Sequence, residues 1–488
     1  MGAVILYIPW AIILILLPLV AGMFCFLWPR AAKLLGQVTA FVVVLSVAGL
    51  GVQMLENGIY HHAVGGWGAP LGIDLYADGL SLLMLAVTAL VGFAVSVYSA
   101  GYFERKAAAR FWPLWLFLLA ALNALFLSAD IFNLYVTLEL MGLAAVALTA
   151  LPGGRDALGG AMRYLLATLL GSLAYLLGVA LLYHGFGSVD IALLGQRAEP
   201  APFLWAALGL MGAGLLVKTA LFPLHFWLPP AHASAPAPVS GLLSALVVKA
   251  SFYILLRLWL EIFGPLVSHE GVVTLLGLLG VAAILWGSVQ ALRQTRLKLL
   301  IAYSTVAQIG YLFLAFPLAA AGGVSAWSAA AYLALSHALA KAAMFLAAGN
   351  LLRFGGHDRI ADLDRVVQRL PFTAGAFALA GVSIIGLPPS GGFIGKWLLL
   401  EAALAQGRWD LAAVMILGGL LATGYIFKVL GHAFTQAAVS HDPRAVPAGM
   451  EWAALLLAMG AVLLGFLAVP VLLLLGIGDP FGASEVSP

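Results

Sequence analysis

Residues 218–257 read KTALFPLHFWLPPAHASAPAPVSGLLSALVVKASFYILLR. Lys218 and Lys249 bracket a Pro-rich, His-bearing interruption, and long apolar runs flank the whole. In water two such lysines would be ordinary. At mid-depth in a bilayer a lysine costs about 2.5–3.5 kcal/mol on insertion scales, so it is seldom idle there. The surroundings decide which case applies. Of the 488 residues, 64% are hydrophobic and 9% charged, with a mean hydropathy of +1.08. Soluble domains carry about 25% charged residues. This composition cannot cover a soluble surface, so the chain is expected to be an all-α polytopic membrane protein.

Working outward from that stretch, runs of the ~20 apolar residues that a span needs number fourteen. They cover residues 4–28, 34–55, 79–100, 111–128, 130–151, 162–184, 203–227, 239–260, 272–291, 299–318, 326–352, 372–406, 411–433 and 449–475. The twelfth is too long for one straight helix and contains LPPSGG, which predicts two half-helices. The seventh is interrupted by Pro223 and Pro229. The first run is longer than the apolar part of a signal peptide and reads as a span.

Loop charge orients the spans. With the N-terminus outside, the inside loops carry fifteen of the 23 Lys and Arg residues, from Arg30 and Lys33 through Arg293, Arg296 and Lys298 to Arg444. The outside loops carry Arg197 and Arg408 alone. This asymmetry predicts both termini on the outer, periplasmic side, and the chain is expected in the cell inner (plasma) membrane. The other six basic residues, Lys218, Lys249, Arg257, Lys341, Lys396 and Lys428, fall within spans.

No soluble domain is expected. Ile360, Leu363, Val366, Val367 and Leu370 recur at helical spacing, predicting a short helix on the inner surface. The outer loop 56–78 is Gly-rich, and its His61 and His62 read as solvated rather than as metal ligands. Residues 479–488 read as a polar tail. The single cysteine, Cys25, leaves no room for a disulfide framework or a Cys-ligated iron–sulfur cluster within the chain. No dinucleotide, phosphate-loop, haem or hydrolase motif is present, so the chain itself is expected to hold no cofactor and no catalytic site.

Two distant segments are alike in kind. FPLHFWLPP interrupts a span beside Lys218, and GLPPSGG interrupts another beside Lys396. Interrupted helices in matching positions of inverted halves point to an ion site. The chain therefore divides into residues 1–110 (three spans), 111–260 and 272–435 (two inverted five-helix repeats), and 449–488. Irregular backbone at membrane depth must face protein or water.

The ionisable residues inside the spans are the candidate site. Glu139 reads either as a carboxyl neutralised by burial or as half of an ion pair. Burial disfavours a charged lysine while a nearby carboxylate favours it, so a lysine that gains and loses such a partner is a switchable proton site. Glu139 is the carboxylate placed to serve Lys218. Lysines cannot cage Na⁺, so the pattern favours proton handling. His337 and Lys341 stand four apart on one helix face and read as a relay pair. Lys396 is the deep base beside the second break. His225 and His232 are candidate access groups near the inner surface, and Glu401 is an exit-side acid or an interface residue. Lys428 is expected to snorkel, and Arg257 to snorkel or to pair with Glu261.

These residues carry a resemblance. DIFNLYVTLELM, VKTALFPLHFWLPPAHASAPAPVSGLLSALVVK, SHALAKAAMFLAAGN and GLPPSGGFIGKW, in this order, resemble the proton-translocating, antiporter-like membrane subunits. These are shared by respiratory complex I (NADH:quinone oxidoreductase), membrane-bound hydrogenases and Mrp-type cation/proton antiporters. The likeness covers nearly the whole chain, most strongly spans four to twelve. It is similar to the Mrp D-type and hydrogenase-type subunits, with complex I M-type features around His225; Lys396 departs from the M-type pattern, where glutamate is usual. The resemblance implies a mid-membrane row, Glu139, Lys218, Lys249, His337, Lys341 and Lys396. Protons would pass along it from the inside and leave near Lys396, driven from neighbouring subunits. The implied partners are other membrane subunits, including further antiporter-like ones, with lipid, protons or Na⁺, and no nucleic acid. The alternatives are an Mrp-type Na⁺/H⁺ antiporter subunit without a redox partner and a stand-alone solute transporter. In a hydrogenase or complex I setting the chain would be the ion-translocating subunit of an oxidoreductase.

Overall fold

The computed structural model describes residues 8–70, 72–266, 270–319, 326–437 and 443–481. The start of the first expected span and most of the polar tail lie outside the described residues. The apolar runs are helical because a peptide group in hydrocarbon must find its partner within its own segment. The chain opens with α1 (Trp10–Leu27), α2 (Ala32–Asn57), α3 (Gly79–Tyr102), α4 (Arg105–Phe126), α5 (Ile131–Thr149) and α6 (Gly154–Phe186). Aspartates cap two of these helices: Asp78 accepts from Ser81 N at 2.9 Å ahead of α3, and Asp130 from Asn133 N at 2.5 Å ahead of α5.

After the short α7 (Ile191–Arg197), α8 (Pro202–Thr219) stops at Ala220, whose φ of 58° is left-handed. The chain then runs irregularly to α9 (Leu228–Ser234). The next span, Ala237–Phe263, comprises α10 (Ala237–Leu242), a π-helical stretch Leu243–Val247, α11 (Val248–Leu258) and a second π-helical stretch Trp259–Phe263. Then come α12 (Glu270–Arg293), α13 (Leu297–Phe313), α14 (Ala315–Ala319), α15 (Ala326–Gly355) and the one-turn α16 (Val366–Arg369). The expected pair of half-helices is α17 (Pro371–Ile385), closed by Gly386 at φ 89°, and α18 (Gly391–Ala405), capped by Ser390. α19 (Trp409–Phe434), α20 (Ala448–Leu463) and α21 (Ala468–Leu475) complete the chain. Among the described residues thirteen helices are long and apolar enough to cross a membrane; the broken α17–α18 run is additional to them.

The span Ala237–Phe263 and α15 are buried along their whole apolar windows, whereas α1, α6, α12 and α19 bury less than half of theirs. The two helices that carry Lys249, His337 and Lys341 therefore form the centre of the bundle, and the outer helices present leucine faces to their surroundings. Close helix contact depends on glycine at two crossings. A Cβ on Gly171 of α6 would meet Gly214 O of α8 at 2.7 Å, and one on Gly280 of α12 would meet Gly310 O of α13 at the same 2.7 Å. Gly171→Val should force α6 from α8 and lower thermal stability by about 1–3 kcal/mol. A melting midpoint equal to the parent's would show that the crossing tolerates the side chain.

One loop gains detail and another expectation needs correction. Within loop 56–78, β1 (Tyr60–Ala63) and β2 (Asp74–Ala77) pair antiparallel, with Tyr60 opposite Ala77. His61 Nε2 lies 3.3 Å from Asp74 Oδ2. The expected surface helix across 360–370 is only a 3₁₀ turn, Ile360–Asp362, and the single turn α16, separated by Arg365 at a left-handed φ of 48°. Of its apolar residues, Ile360, Leu363, Val366 and Leu370 are buried and Val367 is partly so. Helical continuity loses because the segment is stitched to neighbouring loops instead. Ile360 N donates to Thr295 O at 2.9 Å, Arg365 N to Thr435 O at 2.9 Å, and Arg296 Nε to Asp358 Oδ1 at 3.0 Å.

Candidate functional site

The first element is an ion pair at a helix break. Lys218 stands in the last turn of α8, where the chain turns left-handed at Ala220. A helix C-terminus favours a cation, because its last carbonyls have no intrahelical partners. Lys218 is 3% exposed, and its Nζ donates to Glu139 Oε1 of α5 at 3.3 Å. The same carboxylate oxygen accepts from Ser172 of α6. The break is braced by Trp227, whose Nε1 donates to Val217 O at 2.8 Å and whose ring stacks on Tyr164 at 4.4 Å. The pair foreseen between Glu139 and Lys218 is thus formed, with Ser172 as an additional member.

The second break places a lysine differently. Lys396 lies on α18 and reaches across to the end of α17, donating to Ile384 O at 2.7 Å and Ile385 O at 3.2 Å. Its Nζ also lies 4.4 Å from the centroid of the Tyr311 ring. Lys218 therefore stands at the end of its own half-helix, while Lys396 caps the preceding one.

Between the two breaks lie Lys249 and Lys341, which are 1% and 0% exposed. Lys249 donates to Ser244 O, within the π-helical stretch where Val248 N bonds Leu243 O five residues back. Widened turns of this kind interrupt regular helices mostly at functional sites. Ser244 Oγ is 2.8 Å from Thr305 Oγ1 of α13. The neighbouring Ser304 accepts from Lys341 Nζ, which also donates to Ile301 O at 3.2 Å. So α13 sets hydroxyls between the two central lysines. Sequence reasoning passed over Ser244, Ser304 and Thr305; the available signal was three hydroxyl residues in apolar spans flanking the lysine helices.

Electrostatically the centre is one neighbourhood. Lys249, His337 and Lys341 lie on the two fully buried helices, and α18 with Lys396 packs against α15. Lys218 answers to Glu139. Among the described residues Lys249, Lys341 and Lys396 make no ion pair, only bonds to hydroxyl and carbonyl oxygens. A buried ammonium without a counter-ion is expensive, and like charges repel strongly at low dielectric.

Among the described residues, both ring nitrogens of His337, 2% exposed, lack a hydrogen-bond partner, as do those of His232. His232, a candidate access group, is 0% exposed and stacked on Phe345 at 4.7 Å, one turn beyond Lys341. It feels Lys298, Lys341 and Lys249. Lys298, counted by sequence as a loop residue beside Arg293 and Arg296, is in fact 3% exposed within α13 and donates to Ala235 O. His225 is half-buried against Phe222 and Tyr303. Glu401 is exposed on α18. Lys428 donates to Leu292 O and Gln294 O at 2.8 Å, capping α12.

Arg257 does not snorkel. It is 4% exposed, and its Nη2 lies 2.5 Å from Oδ1 of Asp78, which is 0% exposed. Sequence reasoning missed this pair because Asp78 stands at the margin of a loop. The expected pair with Glu261 is formed as well, at 3.7 Å.

Residues 128–423, which include every residue of the row, match the family described as "NADH:quinone oxidoreductase/Mrp antiporter, TM". Residues 67–112 match "NADH-Ubiquinone oxidoreductase (complex I), chain 5 N-terminus". Over 482 residues the chain is 35% identical to the N-type subunit of the NADH-quinone oxidoreductase of Desulforudis audaxviator, covering 93% of this chain and 95% of the relative. Over 436 residues it is 30% identical to the D-type subunit of the Na⁺/H⁺ antiporter of Alkalihalophilus pseudofirmus, covering 86% of each. A chain in the solved structure of the membrane-bound sulfane sulfur reductase, described as an archaeal respiratory membrane complex, superposes with a TM-score of 0.90. It is 27% identical, with 96% of this chain and 97% of that one covered.

Proposed function

The chain belongs to the NADH:quinone oxidoreductase/Mrp antiporter family of membrane subunits, and from this premise we propose that it moves protons across a membrane as one subunit of a larger complex. The observation that carries the reading is the Glu139–Lys218 pair at 3.3 Å beside a helix break, in a chain whose other buried lysines, Lys249, Lys341 and Lys396, have no counter-ion among the described residues. While the pair is closed, the buried ammonium of Lys218 is compensated. When it opens, the ammonium stands alone at low dielectric and passes its proton onward. The row continues through Lys249, His337 and Lys341 to Lys396, with the hydroxyls of Ser244, Thr305 and Ser304 between the central amines.

On this reading residues 111–260 and 272–435 are inverted five-helix units. The two breaks, each beside a lysine, support that division. Protons enter from the Arg- and Lys-rich side and leave near Lys396. The loop charges support a plasma-membrane setting with both termini outside. The neighbouring subunits, further antiporter-like ones among them, act on Glu139. The named relatives support such partners: one is a quinone oxidoreductase subunit, another an antiporter subunit. The likeness to a Na⁺/H⁺ antiporter subunit also favours a second reading, an antiporter without a redox partner. The test is Lys218→Ala in the assembled complex, reconstituted into liposomes with a pH-reporting dye. Proton flux should fall to the level of empty liposomes while the subunits still co-purify. Flux equal to the parent's would overturn the reading.

A further inference from the structure

We infer that the cavity between the start of α6, α9 and the loop before α13 binds the phosphate headgroup of an anionic phospholipid, whose acyl chains lie along α6. The inference stands apart from the route that protons take. The cavity holds about 680 Å³, within the usual range of small-ligand sites. Arg155 and Arg163 of α6 and Arg296, just ahead of α13, line it, and the carboxylate among its lining residues is that of Asp156. Among the described residues Arg155 and Arg163 make no ion pair. Arg296 is held to Asp358 through its Nε at 3.0 Å, which leaves its two Nη atoms for another partner. Guanidinium groups bind phosphate through paired, charge-assisted hydrogen bonds. Three of them against one acid suit an anion.

Glycine opens the space. Gly159 stands between the two α6 arginines, four residues from each, and so lies on their face of the helix. A helix interior disfavours glycine, so its presence calls for a reason. Packing supplies one at the neighbouring Gly160, where a Cβ would meet Pro230 O of α9 at 2.9 Å. It supplies none at Gly159, where a Cβ would meet nothing within 4 Å. What the missing side chain leaves is room between the guanidinium groups.

The same face carries the apolar half of the ligand. Beyond Arg163 it continues through Leu166, Leu170, Leu173 and Leu177 at three- and four-residue steps. These leucines are 54–67% exposed. With 33 residues α6 is about 50 Å long, roughly 20 Å more than the hydrocarbon core, so its ends reach headgroup level. Leu173 lies ten residues past Arg163, about 15 Å along the axis, which is the depth of one leaflet. A free phosphate would use the arginines and leave the leucine face bare. A phospholipid uses both, its charge on the arginines and its chains on the leucines. Arg155 and Arg163 come from one half of the chain and Arg296 from the other, so a bound headgroup ties α6 to the loop before α13.

The test uses the intact complex in phosphatidylcholine vesicles that contain a small share of phosphatidylglycerol with a diazirine in its acyl chain. After illumination, labelled peptides are identified by mass spectrometry. Labelling between Leu166 and Leu177 is compared with that from a phosphatidylcholine carrying the same diazirine, each normalised to the exposed Leu275 and Leu278 of α12. The anionic probe should label α6 far more strongly. Arg155→Gln with Arg163→Gln should lower that preference about 25-fold, roughly fivefold for each arginine. Gly159→Phe fills the cavity with all three arginines in place and should also abolish the preference. Equal labelling by the two probes in the parent, or no label on this face because another subunit covers it, overturns the site. So does a preference that survives Gly159→Phe, which would mark general attraction to surface charge. Loss of the preference in inorganic phosphate but not in sodium chloride of the same ionic strength would mark a free-anion site and overturn the lipid assignment.

Discussion

Lys341→Met should abolish proton flux and at the same time make the protein more stable. Lys341 is 0% exposed, and among the described residues it has no carboxylate partner, only Ser304 and Ile301 O. Such a site stores free energy, because an amine that must sometimes be charged is buried where charge is disfavoured. Methionine has nearly the same length and no polar end. Replacing buried charge with well-packed apolar residues often gains about 1–4 kcal/mol. Here Ser304 and a carbonyl lose a donor, so the gain belongs at the lower end of that range. The measurement pairs liposome flux with the thermal midpoint of the purified complex. Lost flux with a raised midpoint identifies a functional amine, whereas retained flux or a fall in stability identifies a structural tether.

Arg257→Met should do the reverse to stability. The guanidinium is 4% exposed and compensates an aspartate that is 0% exposed. Removing one partner of a buried pair strands the other charge, at a cost of about 3–5 kcal/mol. The double change Arg257→Met with Asp78→Asn should restore most of that loss. Asparagine caps a helix as well as aspartate does, so Ser81 N keeps its acceptor while the stranded charge disappears. Thermal midpoints of the parent, the single and the double change check this. A single change without effect would mean that water reaches Asp78 freely.

The parts legible in the sequence and the parts that were not divide along a physical line. Membrane depth along a helix is written in hydropathy, so the spans, both breaks and the residues of the row could be placed from residue types alone. The Glu139–Lys218 partnership was legible too, because so few carboxylates lie within the spans. Lys298 was misplaced because two arginines nearby made it look like part of a loop. The hydroxyls of Ser244, Ser304 and Thr305 gave no signal, since serine and threonine sit in apolar helices at little cost when they bond their own backbone.

By itself the sequence determined that the chain must cross a membrane many times, and that a few charged side chains are buried within it. Hydrocarbon makes a backbone satisfy its own polar groups, here by helix, and makes a buried lysine costly enough to mark a candidate site. Only the tertiary structure decided how these groups meet around the helix axes. It brought Asp78 to Arg257 across 179 positions, set α13 hydroxyls between two lysines, and left three of the four row lysines without a counter-ion among the described residues. The physical reason is that hydropathy reports depth, whereas ion pairing is settled within a few ångströms by which helix faces pack together.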